Sequence, residues 1–147
     1  MSSAQFGVVS AILDQLRVEP PLAAGRIYRS RTRAIGVDQP SAIVVRIERS
    51  TSTLASVIGG PTTWATLLNI ECYSRATGDA PDAVSDTLLV EVFERLALAP
   101  PLNGAAMSFE PLPGDTLSWE VDELDSKIAC ITAKFVVMHQ TKGRTLT

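Results

Sequence analysis

The sequence predicts one α+β domain, a mixed but mostly antiparallel sheet with two helices packed on one face. Three observations carry that prediction. Residues 41–49, 64–75 and 126–139 alternate apolar and polar side chains with the period-2 pattern of half-buried strands. Residues 4–17 and 83–98 place their apolar side chains 3 and 4 apart, as an amphipathic helix does. The chain has 147 residues, a common size for one domain with a real core.

The first helix starts at Ser2-Ser3-Ala4-Gln5, which reads as a capping box with Ser2 accepting and Gln5 reaching back. Its stripe is Phe6, Val8, Val9, Ile12, Leu13 and Leu16, and Glu19-Pro20-Pro21 ends it. Burying such a stripe is worth about 10 kcal/mol before entropy is subtracted. Arg26 to Arg33 holds four arginines in eight residues and reads as a charged edge strand running into a loop. Ser41 to Arg49 follows as a strand, with Ile43, Val45 and Ile47 inward and Val44, Arg46 and Glu48 outward.

Ser50 to Thr63, rich in small and hydroxyl residues, reads as a long loop projecting from the sheet, with Leu54, Val57 and Ile58 as anchors for a partner. The strand from Trp64 sets Trp64, Leu68, Ile70 and Cys72 on one side and Asn69, Glu71, Tyr73 and Arg75 on the other. A polar turn at 77–82 then offers Asp79 or Asp82 as a cap for the second helix, whose stripe is Val84, Leu88, Leu89, Val92, Phe93 and Leu96. Pro100-Pro101 stops it. Short strands are expected at 105–110 and 117–121, then a long one at 126–139. That last strand's second side, Ile128, Thr132, Lys134, Val136 and Met138, is too apolar at its ends for simple exposure and suits a covering subunit. Residues 140–147 read as a flexible tail.

Charge is segregated. From Arg17 to Arg49 there are seven arginines against three acids, and from Asp79 to Asp125 eleven acids against Arg95 alone. A positive patch on one subunit facing the negative patch of the next gives a heterologous contact of the kind that closes into rings. Arg26, Arg29, Arg31 and Arg33 are the positive candidates. Asp79, Asp82, Asp122, Glu123 and Asp125 are the negative ones. A nucleic-acid role for the arginines lacks the interleaved aromatics of a single-strand binder.

Catalytic and cofactor chemistry find little footing. His139 is the lone histidine and reads as a surface residue near the end of a strand. There is no nucleophile elbow, no phosphate-cradling glycine loop and no zinc helix motif, so no cofactor is assigned. The acids at 120–125 lack the spacing of a calcium loop, so no metal is assigned either. Cys72 and Cys130 fall on opposite sides of the sheet and read as free thiols. No apolar run reaches the roughly 20 residues of a membrane-spanning helix, and the expected location is cytosolic or released by lysis.

The stretch Ile70-Glu71-Cys72-Tyr73-Ser74-Arg75, with its acidic, proline-bearing turn and the leucine- and valine-bearing helix behind it, resembles the tail terminator (tail-completion, minor tail protein) family of long-tailed bacteriophages. The order of elements fits that family over nearly the whole chain. The resemblance implies a small non-enzymatic virion subunit, assembled in the host cytoplasm into a ring, by resemblance a hexamer. That ring would cap the major tail tube protein, offer a surface to the head-tail connector protein, and let DNA pass through its lumen without sequence-specific binding. Two alternatives stay open: a neck or connector protein of the same virion, and a cytosolic small-molecule-binding or enzymatic α+β domain.

Overall fold

A computed structural model describes residues 2–30, 39–53, 57–75, 82–98, 100–121 and 128–147. The elements run α1 (Ala4–Leu16), β1 (Ile27–Arg29), β2 (Ser41–Thr53), β3 (Thr62–Arg75), α2 (Ala83–Leu96), β4 (Ser108–Pro111), β5 (Leu117–Val121) and β6 (Ile128–Thr141). Short 3-10 turns at Leu22–Gly25 and Pro101–Gly104 lead into β1 and toward β4. The sheet order is β1-β2-β3-β6-β4, with β5 also on β6, so β4 and β5 share the outer edge of one long strand. Among the described residues only β1 pairs parallel, and the other pairings are antiparallel. The domain is α+β, and both helices contribute to one core on one face of the sheet.

That core follows from strand parity. Ile43, Cys72 and Ile131 lie in one row across β2, β3 and β6, and Val45, Ile70 and Ala133 in the next. All of these residues are buried under Val9, Ile12 and Leu16 of α1 and Leu88, Leu89 and Val92 of α2. Burial of that apolar surface at about 25 cal/mol per Å2 is what holds helices and sheet together.

Several local expectations change. Ser3, not Ser2, caps α1 by accepting from the Phe6 N–H, and Gln5 donates instead to Ser50 Oγ at 3.3 Å. Phe6 is exposed rather than in the stripe. In β2, Val44 is buried and Ile47 is 39% exposed, the reverse of simple alternation. Two features explain Ile47: β1 covers β2 only as far as Val45, and a bulge between Ile47 and Arg49 shifts the register.

The segment 50–63 is not all loop: β2 runs to Thr53 and β3 begins at Thr62, so strand occupies both its ends and the hairpin arms extend past the core. In α2, Val84 is exposed and Ser85 takes the buried place beside it, donating to Ser74 Oγ of β3 at 2.6 Å. Asp82 stands at the α2 N-cap without a side-chain bond to the helix; Asp79 lies outside the described residues. The expected strand at 105–110 is shorter and begins at Ser108, after the turn at 101–104. β6 runs on through Thr141, and the Leu146 carbonyl then accepts from the Ala4 N–H at 2.6 Å.

Candidate assembly surfaces

Arg29 and Arg17 lace α1 to β1, and Arg26 ties the chain ahead of β1 to β2. Arg29 Nη2 donates to Ser10 Oγ at 2.6 Å and Nη1 to the Phe6 carbonyl at 3.3 Å, with the guanidinium 3.5 Å from the Phe6 ring centroid. This cation–π seat explains why Phe6 stays outside the core. Burial, then the nearby Arg17 charge, lowers the Arg29 pKa from its ordinary value. Arg17 Nη2 donates to the Ile27 carbonyl at 2.8 Å, and Arg26 Nε to the Ser41 carbonyl at 2.7 Å. A guanidinium has five donors, so Arg26 and Arg29 keep some outward, but their first task is internal. Arg31 and Arg33 lie outside the described residues.

The hairpin between β2 and β3 ends in an apolar tip. Ile58 is 100% exposed and Val57 67%. The Gly60 N–H donates to the Val57 carbonyl at 3.0 Å, and Gly59 has a φ of +79°, which favours glycine. Leu54 lies outside the described residues. On the acidic side Asp82 is exposed, while Asp79, Asp122, Glu123 and Asp125 also fall outside them. Among the described residues, Asp82 has no hydrogen bond or ion pair with the arginine group.

The sheet face away from the helices is polar at its centre. Arg46 Nε meets Glu71 Oε1 at 2.7 Å, and that hydrogen bond is the main reason the Arg46 pKa is raised. Lys134 Nζ sits 3.0 Å from Asp115 and 3.9 Å from Glu48, and the Asp115 hydrogen bond leads in raising its pKa. Toward the hairpin the same face turns apolar, with buried Leu67 beside the half-buried Ala65, Val136 and Met138.

Cys72 points into the core and Cys130 to the opposite face, and both thiols are free. Burial pushes both pKa values up, that of Cys130 to about 11. A thiol that stays protonated is a poor nucleophile. The folded protein at pH 8 is therefore expected to react with a disulfide reagent at least tenfold slower than the urea-unfolded chain, which an absorbance time course checks.

His139 corrects the surface assignment, because it is only 3% exposed. Past the bulge, the helix face of the sheet carries hydroxyls: Ser50 Oγ and Thr66 Oγ1 are 2.8 Å apart, and Thr66 Oγ1 and His139 Nε2 are 2.6 Å apart. Next to them Trp64 Nε1 donates to Thr141 Oγ1 at 2.9 Å. Burial lowers the His139 pKa, so the fold takes up a proton less readily than the unfolded chain does. Stability from this residue is fully present above the unfolded histidine value, about 6.5, and declines as the pH falls below it. The urea midpoint should fall between pH 6.5 and 5, and His139→Gln should flatten that slope.

The reading from residues missed one surface. Phe93, Leu96 and Leu98 at the end of α2 face Phe109, Pro111 and Phe135 across an apolar groove of about 320 Å3. Phe109 stacks on Phe135 with ring centroids 4.6 Å apart, and Phe93 is 5.1 Å from Phe135. On the neighbouring β5, Trp119 is 58% exposed. Trp119 was the available signal: a tryptophan that alternates with Ser118 and Glu120 in a five-residue strand and still stays largely in water. Among the described residues no three His, Cys, Asp or Glu side chains gather to hold a metal ion, and no helix is long and apolar enough to cross a membrane.

No protein-family model and no curated protein matches the chain. A solved structure does. A chain described as "Virion of native gene transfer agent (GTA) particle" is similar at 17% identity and a TM-score of 0.63, over 90% of this chain and 93% of that one. The two share a fold along nearly their full lengths. On this chain the hairpin tip stands clear of the core, whereas the groove opens onto it through Leu96 and Phe135.

Proposed function

We propose that this chain is a structural virion protein that forms a ring on the end of a phage-type tail tube, stops tube polymerisation, and presents the surface to which the head connector attaches. The observation that carries the reading is the fold shared with a chain of a gene transfer agent virion, a phage-like particle, across nine-tenths of the sequence. The resemblance of residues 70–98 to tail terminators narrows virion protein to terminator. In this reading the chain works by shape rather than catalysis. One ring face matches the last layer of the tube and the other accepts the connector, while DNA passes through the lumen. Arg31, Arg33, Asp122, Glu123 and Asp125 stay the proposed charged contacts between subunits, with the free donors of Arg26 and Arg29 in support.

Deleting the gene from a phage or prophage that carries it tests the role. Over-long tails are the expected result. Tails of normal length that fail to join heads would assign the chain to the neck instead, and unaltered infectious particles would overturn both virion roles.

A further inference from the structure

We propose that the Val57–Ile58 hairpin tip of one copy seats in the groove between α2 and β4 of the next copy, an inference that rests on the ring-forming reading above. The tip presents a fully exposed isoleucine beside a valine, on a turn held by the Gly60-to-Val57 hydrogen bond. Leaving two branched aliphatic side chains in water forgoes their transfer free energy unless a partner covers them. The groove is the matching cavity: mostly apolar, about 320 Å3, and walled by Phe93, Phe109 and Phe135, with Glu110 and the exposed Leu98 also lining it.

A tip cannot fill the groove of its own chain. The sheet row through Phe135 lies six residues from the row through Thr141, roughly 20 Å along the strands, and the hairpin continues away from it. Tip and groove are therefore two separate, dissimilar patches on one subunit. A contact between dissimilar patches is heterologous and propagates from copy to copy until it closes. Aromatic walls around an aliphatic knob are also where binding free energy concentrates at interfaces.

The full chain carrying Ile58→Cys and Leu98→Cys together tests the contact by mild oxidation and by a short bismaleimide. Cys72 and Cys130 are buried and leave the background low. A ladder of covalent oligomers ending at the ring is expected on a non-reducing gel, with neither single variant passing the dimer. Closed rings in electron micrographs without a ladder from either reagent would overturn the tip-in-groove contact while leaving ring formation standing. A wild-type chain that stays monomeric at every concentration would remove the ring reading as well. In a second variant, Ile58→Asp, assembly should weaken about tenfold or more with an unchanged circular dichroism spectrum. Full assembly by that variant would also overturn the contact.

Discussion

Ile70→Ala is expected to lower stability by about 3–4 kcal/mol and the Tm by about 10 °C. Ile70 is completely buried, lies in a central row of the sheet between Val45 and Ala133, and faces both helices. Small or narrow neighbours in that row leave nothing that can move in to fill the space. The residual cavity then adds to the lost transfer free energy. Thermal unfolding followed by circular dichroism measures it, and a drop below 1 kcal/mol would mean that the helices close over the gap. Ile70→Val removes one methylene and should cost only about 1 kcal/mol.

Arg95→Ala carries the next largest effect. Arg95 reaches from the last turn of α2 to the end of α1, where its guanidinium donates to the Leu16, Val18 and Pro20 carbonyls. Beside it Gln15 Nε2 donates back to the Arg95 carbonyl at 3.3 Å. A helix ends with carbonyls that lack intrahelical partners, and here one charged side chain from the other helix serves them. With Arg95 half-buried, its loss should lower stability by about 2 kcal/mol. Arg95→Lys should recover only part of that, because an ammonium on a flexible stem does not span three carbonyls as a planar fork does. Urea titrations of the two variants supply the comparison.

Much of the fold was legible because the core obeys simple periods. β3 alternates from Leu68 to Ser74, β6 from Ile131 to His139, and both helices keep a clear buried stripe. What escaped lies where another constraint overrides the period. Ser50 to Thr53 and Thr62 to Thr63 form strand although no apolar side chain marks them, because backbone pairing from Ser50–Thr66 to Thr53–Thr63 holds them while Thr51 to Thr53 stay exposed. His139 is inside because β6 continues beyond Val137 and its next inward position meets the buried Thr66 hydroxyl.

Ile47 and Val44 exchanged roles because edge coverage and a bulge, both tertiary features, decide exposure there. The groove escaped because Phe93, Phe109 and Phe135 come from three elements far apart in sequence. Charge segregation was visible but not its use. Arg17, Arg26 and Arg29 are staples inside the subunit before they are anything else, and only backbone geometry reveals which carbonyls they meet.

The proposed ring requires assembly of a small α+β subunit through dissimilar surfaces. Its most direct test is the solution mass of the purified chain by light scattering, read together with negative-stain images of the same sample. The prediction is a discrete multiple of the 15.7 kDa subunit, with closed rings around an open channel. A single 15.7 kDa species at millimolar concentration, with no rings in the images, would contradict it.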